Sequence, residues 1–443
     1  MNNRFAKNTI WILVGQVLKM LLSFIVNLFV ARYLGPSDYG ILNYVSSYLA
    51  FFTSLVGLGL NSVIIYELVA HRNEEGKILG TAIVLRFLVG LVSSFIFVFL
   101  IVVLDRTERV FLTVAILQAI QLPFLAFDTF IYWYQSKLLS KYAVIVQSIG
   151  FFITSVYKVL LIVLGRSVEW FAFSTSLDII LLAVMYCVMY YKQTKVRLGF
   201  SIDIGIRMLK KSGPFILANM MVFIYGQMDK IMLKQMLHST EAVGLYSAAI
   251  TICGLVGLIP TALLDSGRPV VMEAKATDET LYQKRFRQLC AGIIWVCFIY
   301  SMGMALFSKL AIRILYGTEY LGANTCLKIG VWYTAFSYVG SARSTWLICE
   351  KKEKYVFILS AMGAITNLLL NGLLIPVLGI NGAAIATLAT QVFANFVYPF
   401  FWKETREYSK CVFDAIFLRN VDIKGLVSHF VCTKAEKRKV LTK

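Results

Sequence analysis

The stretch "NTIWILVGQVLKMLLSFIVNLFVARYLG", residues 8–35, decides the fold class. Its apolar run exceeds the roughly 20 residues needed to cross a bilayer core about 30 Å thick. Lys19 nevertheless lies near its middle, between Gln16 and Asn27. A cation at the centre of a membrane helix costs roughly 2.5–3.5 kcal/mol on insertion scales. Gln16, Lys19, Ser23 and Asn27 are spaced by 3, 4 and 4 residues, which puts them on one helical face. A polar stripe on an otherwise apolar helix is expected to face other helices or a hydrated cavity, not lipid.

The same composition continues along the chain. Of its 443 residues 59% are hydrophobic and 15% charged, against about 45–50% and about 25% in soluble domains. This predicts an all-α, polytopic membrane protein. Long unbroken runs exclude the alternation of an outer-membrane barrel. The first run is too long for a signal peptide, carries a lysine and lacks a small-residue cleavage site. The eight cysteines are scattered, with no C-x-x-C, so neither a disulfide framework nor a metal site is expected.

Twelve spans are predicted: 8–33, 39–66, 78–104, 110–135, 141–164, 169–191, 212–236, 241–264, 288–314, 323–349, 354–376 and 380–402. The N-terminus and even-numbered loops hold Arg4, Lys7, Arg72, Lys77, Lys137, Lys141, the basic stretches 192–211 and 268–287, and "KKEK" at 351–354. The odd-numbered loops hold only Arg32, Arg106, Arg109, Arg166 and Lys234. By the positive-inside rule both termini are expected in the cytoplasm. These loops and the tail largely explain the net charge of +19, so topology and anionic headgroups account for it and no nucleic-acid partner is expected.

An internal echo divides the spans. "ARYLGPSDYGILNYVSSYLAFFTSLVGLGL" (31–60) resembles "KQMLHSTEAVGLYSAAITICGLVGLIP" (234–260), each with a short polar turn, an acid (Asp38, Glu241), a glycine (Gly40, Gly244) and a small-residue helix. Two parallel repeats are the expectation. They give a six-helix lobe at 1–191, a basic cytoplasmic linker at 192–211, a second six-helix lobe at 212–403 and a basic tail at 404–443, the lobes lying around a central cavity. "SIDIGIRMLKK" in the linker reads as surface-lying, and the start of the tail as an interfacial helix.

Arg86 in span 3 and Lys158 in span 5 join Lys19 as deep cations, Asp128 and Asp178 are the deep acids of the first half, and Arg343 lies in span 10. Two readings stand for the cations: a positive cavity for an anionic, phosphate-bearing substrate, or buried ion pairs with Asp128 or Asp178. Span 12 carries Thr387, Gln391 and Asn395 at i+4 steps, and span 11 carries Asn367 and Asn371; such amides commonly bond helix to helix. There is no P-loop and no H-E-x-x-H motif, so an enzyme is not expected. No cofactor is called for; Asp128 or Asp178 is the candidate for binding a coupling proton or Na⁺.

"VARYLGPSDYGILNY" (30–44), "MDKIMLKQML" (228–237) with "AVGLYSAA" (242–249), "LYGTEY" (315–320) and "VLGINGAAIATLATQ" (377–391) resemble the Wzx-like polysaccharide-transporter branch of the MOP exporter superfamily. The resemblance runs from about residue 8 to 403. It implies a two-lobed, MATE-like exporter in the bacterial cytoplasmic (inner) membrane. Such exporters flip undecaprenyl-diphosphate-linked oligosaccharides to the outer leaflet for O-antigen, capsule or exopolysaccharide. It also implies a cationic cavity and, as partners, a polysaccharide polymerase and chain-length regulator. Gln16, Lys19, Asn27, Arg86, Lys158 and Arg343 are then the candidate substrate contacts. Within the motifs Gly35–Pro36 is expected as a turn, and Gly317 and Gly382 as close approaches. Lipid II flipping, multidrug efflux and a membrane polysaccharide polymerase are the competing readings; short external loops argue against the polymerase, and deep bases against efflux of cations.

Overall fold

The first 49-residue apolar segment, Leu22–Ala70, is far too long to cross a membrane once. At 1.5 Å per residue, a continuous helix of that length would be more than twice the hydrocarbon thickness. The chain breaks it at Gly35, which has φ 71° and ψ 173° inside the helix Asn3–Gly57. A positive φ is accessible to glycine without a Cβ penalty, and Pro36 follows in a position that needs no helical N–H donor. The expected turn is therefore present, and one helical stretch provides two spans.

A computed structural model describes residues 3–419 except 106, 107 and 195; side chains of residues 1–21 and of 214, 215, 217–219, 221, 222, 224 and 225 are outside that description. The described residues are helices and turns without strands. Nine segments among them are long and apolar enough to span, and these cover ten of the twelve predicted runs. The run 212–236 lies inside the helix Ile202–Leu237, and 323–349 is covered by Asn324–Gly330 and Tyr333–Cys349. Large apolar side chains point outward along Glu75–Leu104, with Phe95 76% and Phe99 68% exposed. A soluble protein would bury such a row; a multi-pass membrane protein turns it to lipid.

By internal contact the chain forms two compact units, 1–247 with 315–320, and 248–314 with 321–443. In the first, Leu60, Ile64, Ile78, Phe130, Tyr134, Tyr186 and Tyr190 form a buried core. The linker is stitched to this unit: Gly199 N donates to Gly76 O at 3.0 Å, and Ser201 N donates to Thr81 Oγ1 at 2.9 Å. Its second half is not a separate surface helix but the first turns of Ile202–Leu237. One side is exposed at Ile202 and Ile206 while Ile204 and Met208 are buried.

The second unit has its own core, including Phe286, Cys290, Ile293, Trp346, Leu359 and Tyr408. The described start of the tail, Arg406–Ile416, is an amphipathic helix. Tyr408 OH donates to Val339 O at 3.2 Å, whereas Phe413 and Phe417 remain exposed, as an interfacial helix requires. Residues 420–443 of the tail lie outside the described residues. Gly382 makes the expected close approach, since a Cβ there would overlap Leu374 O. Gly317 does not: a Cβ would meet open space, and its φ of 95° marks a turn instead.

Candidate functional site

The first unit contains a half-open cavity of about 150 Å³. Asn27, Tyr39, Asn43 and Ser46 reach it from the two arms of the broken first helix, Gln118 from Arg109–Ala119, Lys158 from Ser140–Val163, and Phe171 and Thr175 from Val168–Gln193. The break at Gly35 is what brings Asn27 and Asn43 to one space. Gln118 Nε2 donates to Ser46 Oγ at 3.0 Å, and Asn43 Nδ2 donates to Tyr39 O at 2.9 Å. The side chains are thus held by one another and offer amides, hydroxyls, a lysine and two aromatic rings to the space.

Of the sequence candidates, the cavity unites Asn27 and Lys158. Asp178 acts electrostatically on the Lys158 ammonium, and accepts a hydrogen bond from Thr154 Oγ1 at 3.1 Å. Lys158 therefore lines a cavity with an acid near enough to act on its charge. The side chains of Gln16 and Lys19 lie outside the described residues.

Arg86 and Arg343 are not brought to this cavity. Arg86 is buried, donating from Nε to Val56 O at 3.3 Å and from Nη1 to Thr129 Oγ1 at 3.0 Å. Asp128 sits close enough to act on its guanidinium. The span carrying Asp128 is interrupted there, running through Pro123 and a 3₁₀ turn at Leu125–Asp128 before helix resumes at Thr129. A glycine at position 90 lets the helix Glu75–Leu104 rest on the backbone of Leu122 and Pro123. Arg343 belongs to the second unit and is also buried. It donates to Ala394 O and, at 2.9 Å, to Asn395 Oδ1. Asn395 Nδ2 in turn donates to Gln391 Oε1 at 2.8 Å. The Arg343–Asn395 bond joins helix to helix, while Asn371 Nδ2 donates to Asn367 Oδ1 at 3.1 Å along a single helix face.

Sequence reasoning missed Asn43, Ser46, Gln118 and Thr175. Asn43 and Ser46 are three apart on one face, and that spacing was a usable signal. Gln118 and Thr175 are single polar residues in apolar helices, and only the packing shows which way they face.

A helical chain of long apolar segments, broken at glycine and holding a polar cavity within its first unit, is built as a multi-pass membrane protein. Solved structures share the fold: one titled "Lipid II flippase MurJ, inward closed conformation" aligns with a TM-score of 0.74 at 16% identity, covering 97% of this chain and 99% of that one. A multidrug-resistance MATE family transporter of the MOP superfamily, in an inward-facing conformation, aligns at 0.72 with 14% identity over 89% and 95%. At these identities the likeness shows the fold alone. The family described as polysaccharide biosynthesis protein matches residues 5–262, and the chain belongs to that family. "Probable flippase AglR" of Haloferax volcanii is 26% identical over 197 residues, 41% of this chain; the chain spans 38% of that relative's length.

Proposed function

We propose that this protein flips polyprenyl-diphosphate-linked oligosaccharides from the cytoplasmic to the outer leaflet of the cytoplasmic membrane, by alternating access, for surface polysaccharide synthesis. Family membership supports a polysaccharide precursor as cargo. The observation that carries the reading is the cavity: Lys158 with Asn27, Asn43, Gln118 and Thr175, flanked by Tyr39 and Phe171. Amides and hydroxyls exchange hydrogen bonds with sugar hydroxyls, aromatic faces cover apolar sugar faces, and an ammonium attracts phosphate. In this reading Gln16 and Lys19 extend the face of Asn27 along the first span. Arg86 and Arg343 contribute positive potential from within the protein without touching cargo. A proton or Na⁺ at Asp128 or Asp178 couples transport to an ion gradient, with no other cofactor and no catalytic step. A polymerase and chain-length regulator take up the product, and both termini lie in the cytoplasm.

Binding of purified protein to undecaprenyl-diphosphate oligosaccharide, with lipid II as the competing ligand, tests the reading. Lys158→Ala is expected to weaken binding about tenfold or more, since a charge-assisted hydrogen bond contributes about 1.5–3 kcal/mol; Lys158→Arg is expected to retain part of it. Equal binding by wild type and Lys158→Ala, or preference for lipid II, contradicts it. Reporter fusions at Lys192 and Lys443 are expected to report cytoplasm, and one at Asp105 the outside; a fusion at Lys443 reporting outside removes the orientation.

A further inference from the structure

Two glycines in the repeated segments make the same contact in opposite directions. A methyl group on Gly40 would overlap the carbonyl oxygen of Thr240, and one on Gly244 would overlap the carbonyl oxygen of Pro36. Positions 36 and 240 are 204 residues apart, as are 40 and 244. Each glycine therefore rests on the residue that opens the corresponding turn in the other repeat. That reciprocity is the signature of a local two-fold relation, in which one patch meets its own equivalent. Backbones approach this closely only where side chains are absent.

We propose that this reciprocal Gly40–Thr240 and Gly244–Pro36 contact is the external gate of the transport path, closed in this structure. The inference rests on the transporter reading. The turns belong to the two sequence repeats and fall on the outer side by the charge asymmetry of the loops. Tyr39, next to Gly40, lines the polar cavity, so parting the turns moves a cavity wall. Besides the glycine contact, a hydrogen bond joins the two segments directly, Gln235 to Tyr44, and further polar and aromatic links tie each segment to neighbouring residues at 105–108 or 315–320. Tyr320 OH donates to Ala31 O at 2.7 Å, and its ring meets Tyr39 edge-on at 6.3 Å. Gln235 Nε2 donates to Tyr44 OH at 2.5 Å, which donates to Asp105 at 2.9 Å. Lys234 pairs with Glu108 at 3.6 Å. Flat backbone contact without interlocking side chains, held by few hydrogen bonds, can separate and reform as a unit. The motif residues of the two turns thus divide the work of closure, glycine sealing the seam and polar side chains latching it.

External accessibility of the cavity tests the gate. In a cysteine-free background Asn43→Cys is labelled with a membrane-impermeant maleimide added from outside, with protein level in the membrane measured alongside. Labelling is expected to be slow in the parent and to rise several-fold in both Gly40→Ala and Gly244→Ala, to similar extents. Gly303→Ala, whose added methyl meets open space, leaves it at the parent rate. Gln235→Ala, which removes the direct hydrogen bond between the two segments without adding an atom, gives a smaller rise and decides the matter if the glycine variants fail to accumulate. Unchanged labelling in the glycine variants at normal abundance, or a rise in only one of them, overturns the gate. Labelling needs no cargo. A rise in both variants, with no protection by polyprenyl-diphosphate sugar, upholds the gate and counts against the substrate reading instead.

Discussion

Arg343 Nη1 donates to Asn395 Oδ1 at 2.9 Å inside a π-helical turn, Phe393–Val397, and the same nitrogen reaches the carbonyl of Ala394. A π turn disturbs the regular helix ladder, and an unmatched carbonyl inside a membrane is costly. The guanidinium supplies the missing donor. Gly340, one turn before Arg343, leaves room for Asn395: a Cβ there would overlap the carboxamide.

Arg343→Ala is therefore expected to reduce the amount of folded protein in the membrane. Orphaning a buried acceptor costs about 1–3 kcal/mol, and this change strands two. Thermal unfolding in detergent checks it, with Arg343→Lys intermediate. Normal stability with lost cargo binding would instead make Arg343 a direct substrate contact.

Asp178 lies near enough to Lys158 in the first unit to act on its charge. Removing one member of such a pair leaves an uncompensated charge, whereas replacing both with apolar groups is often neutral. Asp178→Asn alone is expected to lower membrane abundance more than Asp178→Leu with Lys158→Met. Measured together with transport, the same variants address coupling: Asp128→Asn and Asp178→Asn are expected to weaken dependence on the ion gradient. Full transport with intact gradient dependence in both removes the coupling role.

Glu67 is fully buried and bound by three bases: Lys211 at 2.7 Å, Arg207 at 3.0 Å and His71 at 3.1 Å. Arg207 also reaches Glu74 at 3.3 Å. The bases are partly exposed, so solvent screening limits each pair to about 1 kcal/mol or less. Glu67→Gln is expected to loosen the 192–211 segment, read as faster proteolysis there, with little change elsewhere in the chain. An unchanged cleavage rate contradicts the role of Glu67 as its anchor.

The helices were legible in the sequence because lipid selects unbroken apolar runs, and Gly35–Pro36 announced the break inside the first long helical stretch. The echo around Gly40 and Gly244 was visible as a repeat, but not as a contact, since register says nothing of which backbones meet. The stripe Gln391–Asn395 was legible as polar; its partner Arg343 sits about fifty residues earlier, and only packing joins them. Lys158 and Asn27 were found because a charge or an amide in a span is conspicuous. Gln118 and Thr175 were not, because a single polar group can face any neighbour until the helices are oriented. The Gly317 reading failed because a turn glycine and a packing glycine look alike in sequence.

Lys19 carries the largest insertion cost on the first span's polar stripe, and a contact to the cargo phosphate is expected to offset it. Lys19→Ala is expected to give normal or higher abundance in the membrane with lost surface polysaccharide, and Lys19→Arg partial function. Loss of the alanine variant from the membrane would identify Lys19 as half of a structural ion pair.

The central claim is movement of a lipid-linked sugar between leaflets. Purified protein in liposomes loaded with undecaprenyl-diphosphate oligosaccharide measures it directly, through accessibility of the sugar to a membrane-impermeant oxidant added after reconstitution. The account predicts that protein converts the protected inner-leaflet fraction to an accessible one, and that Lys158→Ala protein does so far more slowly. A protected fraction that persists with wild-type protein under an imposed proton or Na⁺ gradient, while lipid II is moved in the same vesicles, would contradict it.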